Sequence, residues 1–126
     1  MQLLTSEVGT GMQGVWETMT GADIIAVIGE IDASSSIELD LAIAKSVGEG
    51  FRKILIDCSG LEYISSAGLG VFMSYIEELR DKNIPMVLFG MKEKVANTFS
   101  ILGLADLLHI KQNKLEAKSL ANELSV

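Results

Sequence analysis

Along the 126 residues, apolar and polar positions fall into blocks whose period switches between two and about 3.6, as alternating strands and helices require. The first twelve residues show little periodicity and are expected to form a loose lead-in, leaving residues 13–126 as the folded domain. The runs "VWETM" (15–19) and "DIIAVIGEI" (23–31) are rich in β-branched side chains. "TGA" separates them, with Gly21 free to adopt the turn dihedral, which predicts an antiparallel hairpin. In "DASSSIELDLAIAKSVGEG", Ser35 and Glu38 stand at capping-box spacing and Ile37, Leu41, Ala44 and Val47 recur at helical intervals, with Gly48 and Gly50 closing the helix.

"KILIDCS" (53–59) is a short apolar run of the kind found in a strand covered on both faces. Leu69, Phe72, Ile76 and Leu79 then mark one face of a helix, Glu77, Glu78, Arg80, Asp81 and Lys82 supply its wet face, and Asn83 and Pro85 end it. "PMVLFGM" is a second buried strand. Val95, Phe99 and Leu102 predict a further helix stopped at Gly103, "LLHIKQ" a last strand, and "KLEAKSLANEL" an amphipathic tail helix. The order β-β-α-β-α-β-α-β-α is that of a single α/β domain with a mixed, mostly parallel sheet and an antiparallel N-terminal hairpin. In open sheets of this kind functional groups gather beyond the carboxyl ends of the strands, here in "GEIDASSS" and "SGLEYISSAG".

Composition narrows the function. Apolar residues make up 48% and charged residues 21%, with one proline, which is the balance of a globular domain. A formal charge of −7 disfavours nucleic acid and anionic lipid, because neutralising phosphates needs clustered Lys and Arg. No run approaches the roughly 20 apolar residues of a membrane span, and no secretory leader is recognisable. The single cysteine, Cys58, lies in an apolar run and can form no internal disulfide. These features predict a cytoplasmic protein that does not contact membranes.

The hydroxyl pair Ser65-Ser66, set where a strand gives way to a helix, is the most conspicuous chemistry. A nucleophile elbow requires Gly-x-Ser-x-Gly, but Ile64 stands two positions before Ser66, and His109 is the lone histidine available as a base. A hydrolase is therefore not expected. One His and one Cys cannot build a typical zinc site, and neither a phosphate-binding loop nor a complete dinucleotide fingerprint is present, so no metal or cofactor is expected. The pattern places Asp32 and Asp57 each at the end of a strand, where Asp is ordinary turn chemistry. Gly68 and Gly70 suggest close packing of a helix start against the sheet. A serine at that start can cap the helix, and a phosphate on it would meet free amides and the positive end of the helix dipole.

"DCSGLEYISSAGLGVF", with "VIGEIDASS" upstream and "MKEKVANTFSILGLADLLHI" downstream, resembles the STAS domain family of sulphate transporters and anti-sigma factor antagonists over roughly residues 13 to 122. The resemblance implies a freestanding anti-sigma factor antagonist rather than an enzyme. Such a protein binds an anti-sigma factor that is also a serine kinase, lets go once phosphorylated on the motif serine, and is restored by a metal-dependent serine phosphatase. By register with Gly68 the acceptor is Ser66, with Ser65 the second choice, since this chain has Ser65 and Ala67 where relatives often carry Asp and a hydroxyl. Asp32 matches the family's acidic residue in the neighbouring loop. The expected partner-binding residues are Asp32, Ser34, Ser65, Ser66, Ala67, Gly68, Leu69 and Met73, on a protein monomeric when free. The other role the family allows is that of an unphosphorylated scaffold or small-ligand-sensing subunit of a larger assembly.

Overall fold

The structure, a computed structural model, describes residues 1–5 and 22–124. Its elements are β1 (Gln2–Thr5), β2 (Ala22–Ile31), α1 (Ser35–Gly48), β3 (Lys53–Ile64), α2 (Ser66–Asp81), β4 (Met86–Phe89), α3 (Glu93–Ile101), a 3-10 turn (Leu104–Asp106), β5 (His109–Lys111) and α4 (Lys114–Leu124). The strands form one five-stranded sheet in sequence order. β1 is antiparallel to β2, and β2 through β5 run parallel, joined by the helical crossovers that parallel neighbours need.

The mixed α/β architecture is the one the pattern predicts, but the antiparallel partner of β2 differs. It is Gln2–Thr5, within the segment read as lead-in, with Gln2 opposite Ile28 and Thr5 opposite Ile25. "QLLT" is too short for periodicity to register, and only pairing along β2 makes it a strand. The expected strand at 15–19 and its turn at Gly21 lie outside the described residues. β3 is also longer than "KILIDCS", running on to Ile64 because Leu61 and Ile64 continue its inward-facing positions and pair with the end of β2 across a bulge.

Strand alternation sorts the core into two layers. Ile25, Val27, Ile54, Ile56 and Leu88 face α1, α2 and α3, meeting Leu39, Ile43, Phe72, Leu79, Val95 and Phe99. Ile24, Leu55, Val87 and Phe89 face the opposite side and are covered by Ala117 and Ala121 of α4. This two-sided burial explains why β4 is apolar at every position.

α1 carries the clearest departure from the pattern. Its helical period is real, yet Ile37 and Leu41 are 62% and 64% exposed and Ala44 also faces outward. The buried face instead holds Ser35, Ser36, Leu39, Ile43 and Ser46. Those serines are tolerated because each is satisfied: Ser46 Oγ donates to the buried Asp23 carboxylate at 2.5 Å and Ser36 Oγ to the Ala33 carbonyl at 2.7 Å. In α3, similarly, Val95 and Phe99 are buried but Leu102 has left the helix and is 57% exposed, because Gly103 adopts a left-handed conformation that turns the chain away.

Candidate functional site

The carboxyl ends of β2 and β3 lie side by side, with Ile31 opposite Ile64, and the Ser65 amide donates to the Ile31 carbonyl at 2.8 Å. The loops starting at Asp32 and Ser65 are thereby locked together, as the topology of an open sheet requires. Asp57 takes no part in the site. It sits within β3 opposite Ala26, and its carboxylate accepts from the Ser59 amide at 2.9 Å and the Ser59 hydroxyl at 2.7 Å, a local turn-like arrangement.

The two serines stand in different environments, and the capping role that the sequence left open falls to Ser65. Ser65 is the N-cap of α2: its backbone is extended (φ −81°, ψ 169°) and its Oγ accepts from the Gly68 amide at 3.3 Å. Ser66 is the first helical residue and is exposed. Its hydroxyl has no hydrogen-bond partner among the described residues. Ser65→Ala is expected to cost about 1 kcal/mol of stability by removing the cap, measured by urea denaturation, and to leave the Ser66 hydroxyl in place.

Asp32 organises the adjoining loop. Its Oδ1 accepts from the Ser35 amide at 2.8 Å, from Ser35 Oγ at 3.0 Å and from Ser34 Oγ at 3.0 Å, while the Asp32 amide donates to Ser35 Oγ at 2.8 Å. The Ser35–Glu38 capping box is not formed. Ser35 already lies inside α1, and the Asp32 carboxylate serves the donor that the box would have satisfied. The Ser35 hydrogen bonds, followed by that of Ser34, lower the Asp32 pKa from 3.8 to about 2. A group depressed in the folded state contributes above its unfolded pKa and loses that contribution as pH falls through the folded one. The loop at 32–35 should therefore hold at neutral pH and loosen between about pH 4 and pH 2. Amide chemical shifts of Ser35 should follow that window in the native protein and lose it in Asp32→Asn.

Beneath the serines, Gly68 is buried where α2 crosses the strand ends. A Cβ built there would stand 2.7 Å from Ile31 Cγ2 and 2.8 Å from Ile64 Cγ1, so the helix start is seated directly on the sheet. Gly70 points away with nothing within 4 Å, so the packing reason holds for Gly68 alone. Leu69 is buried in the core and Met73 is 45% exposed. Asp32, Ser34, Ser66, Ala67 and Met73 thus form an open face, with Ser65 half-buried at its base and Gly68 and Leu69 beneath it. Sequence reasoning read Ile37 and Leu41 as part of the apolar stripe of α1 and passed over Tyr63, and all three are exposed. An outward apolar pair at helical spacing is indistinguishable from a core pair until the sheet is known.

No acidic residue occupies the first turn of α2, so the positive end of its dipole is uncompensated there. Among the described residues no group of His, Cys, Asp and Glu could hold a metal ion. Cys58 is fully buried, and burial pushes its thiol up to about 12. His109 sits on the short edge strand β5 with no serine hydroxyl hydrogen-bonded to it among the described residues. No described helix is long and apolar enough to cross a membrane.

The sequence profile of the STAS domain matches residues 16–117. An anti-sigma-B factor antagonist of Listeria monocytogenes is 38% identical over 88 residues, covering 69% of this chain and 76% of that protein. An anti-sigma factor antagonist from Mycobacterium paratuberculosis superposes with a TM-score of 0.70 at 22% identity, over 81% of this chain and 86% of its own. The Bacillus cell fate determinant SpoIIAA in its phosphorylated form does so with a TM-score of 0.60 at 19% identity, over 79% and 90%. At those identities the two structures speak to the fold alone.

Proposed function

The chain belongs to the STAS domain family, and from that membership we propose that it is an anti-sigma factor antagonist, a binding module controlled by phosphorylation of Ser66. The observation that carries the assignment is the division of labour at the start of α2. Ser65 is committed to the cap, while Ser66 is exposed, has no hydrogen-bond partner among the described residues and stands at a helix N-terminus whose first turn holds no acidic side chain.

The mechanism follows from charge and hydration. The first-turn amides and the helix dipole can hold a phosphate of about −1.5 to −2 charges on Ser66 without disturbing the fold. On the open face of Asp32, Ser34, Ser66, Ala67 and Met73, extended by Ile37 and Leu41, a protein partner would cover that phosphate and strip its water. Unless the partner pairs it with Arg or Lys, that desolvation costs several kcal/mol and breaks the contact. The unphosphorylated chain therefore binds an anti-sigma factor that is itself a serine kinase, and the phosphorylated chain leaves it. A metal-dependent phosphatase resets the switch. Catalysis belongs to the kinase and phosphatase, and this cytoplasmic, monomeric chain supplies a presented hydroxyl.

The test is calorimetric titration of the cognate anti-sigma factor with the unphosphorylated and the enzymatically phosphorylated protein. Tight binding by the first and its loss in the second is the expected result. Equal affinity of both forms would replace the switch with an unphosphorylated scaffold.

A further inference from the structure

At the opposite end of the sheet from Ser66 lies a half-open cleft of about 200 Å³ between the end of α2, the start of β4 and the approach to β5. Most of its wall residues are apolar, among them Leu79, Pro85 and Leu108, while polar groups make up much of the remaining lining, and two of the apolar residues, Leu107 and Leu124, remain 55% and 42% exposed. Besides the Tyr75 hydroxyl, which donates to the Asp40 carboxylate, the polar side-chain groups at this cleft are the Arg80 guanidinium, the Asn83 amide and the His109 imidazole. None of these three side chains has a hydrogen-bond or ion-pair partner among the described residues.

Such a composition, apolar walls with a few convergent polar groups, is that of a small-molecule site rather than of a packing defect. The charge at this end selects the ligand. The protein carries −7 overall, yet four of its ten Lys and Arg residues border this cleft or the neighbouring depression: Arg80 in the first, Arg52, Lys53 and Lys82 in the second. Lys82 already pairs with Glu78 and Lys53 with Asn122, and Arg52 lines only the neighbouring depression, so Arg80 is the cation that lines this cleft. A phosphate or sulfate would want several donors and no grease, whereas one planar guanidinium beside apolar walls matches a carboxylate on a hydrocarbon body.

We propose that this cleft binds a small amphipathic carboxylate, its head on Arg80 and its tail along the Leu107 and Leu124 walls. The site is independent of the phosphorylation switch, since α2 spans 16 residues, or about 24 Å, between the two ends.

Octanoate and its neutral counterpart octanamide are the probes, titrated into the full-length protein and followed by amide chemical shifts. Saturable shifts at Arg80, Asn83, His109 and Leu124 are expected, with octanoate bound roughly tenfold tighter than octanamide, as one charge-assisted contact implies. Arg80→Gln should abolish that preference, Leu107→Asp should weaken both probes, and Ser66→Ala should bind as the native protein does. Non-saturating shifts, shifts mapping elsewhere, equal affinity for the two probes, or an unchanged preference in Arg80→Gln would each overturn the proposal without touching the assignment of Ser66.

Discussion

Alanine at position 68 is expected to lower the stability of the fold by about 2 kcal/mol, whereas alanine at position 70 should raise it by about 0.5 to 1 kcal/mol. The two glycines share a helix, a turn and an exposed neighbourhood of serines, and only the floor beneath them differs. At Gly68 the new methyl would fall inside contact distance of Ile31 Cγ2 and Ile64 Cγ1, at 2.7 and 2.8 Å. Both atoms hang directly on the Cβ of a buried, β-branched side chain, so neither can swing aside without moving its strand. The helix propensity gained over glycine, at most about 1 kcal/mol, is smaller than such an overpacking cost. At Gly70 nothing lies within 4 Å, so the propensity gain stands alone. Thermal unfolding should register the first change as a fall in Tm of roughly 7 °C. Opposite signs at the two positions would verify that α2 is seated on the strand ends at Gly68, the contact that fixes where Ser66 points. A neutral Gly68→Ala would mean that the helix start rides higher than described.

Aspartate at position 66 should weaken binding to the cognate anti-sigma factor roughly 100-fold, equivalent to about 2.8 kcal/mol, while leaving the fold intact. The direction comes from two environments of the same carboxylate. In the free protein an acid at the first position of α2 meets the positive helix end and open solvent, which is mildly stabilising. Under a partner it loses that water next to Asp32, whose own carboxylate is held ionised by three donors from Ser34 and Ser35. Ser66→Ala should bind as tightly as the native protein and be refractory to release by ATP. Titration of both variants against one partner preparation, with circular dichroism to confirm folding, measures the pair. Wild-type affinity in Ser66→Asp would remove the electrostatic basis of the switch.

The element order from β2 onward, the parallel sheet and the meeting of two loops at the carboxyl ends of β2 and β3 were all legible in the sequence, because each rests on a period or a turn residue that acts locally. What escaped was set by contacts distant in the chain. Gln2–Thr5 becomes a strand only through its pairing with residues 25–28. The outward stripe of Ile37 and Leu41 looked like any helical stripe, because the face that packs inward is studded with serines whose hydroxyls find Asp23, Asp32 and a backbone carbonyl. A buried serine with a partner costs little, so composition alone points to the wrong side of α1. Which of the two serines caps α2 was out of reach for a similar reason. Which hydroxyl turns down onto the Gly68 amide depends on the dihedrals at the end of β3, themselves set by the Ser65 amide bonding to the Ile31 carbonyl. The structure assigns the cap to Ser65, and the acceptor role of Ser66 remains the proposal drawn from the family's register.

The central claim is that Ser66, and not the adjacent Ser65, is the presented acceptor. Its most direct test is to incubate the native protein, Ser66→Ala and Ser65→Ala with the cognate anti-sigma kinase and ATP, and to locate phosphate by peptide mass mapping. One phosphate on Ser66 in the native and Ser65→Ala proteins, and none in Ser66→Ala, is the predicted result. Phosphate on Ser65 in Ser66→Ala, or no phosphate on any of the three, would contradict it.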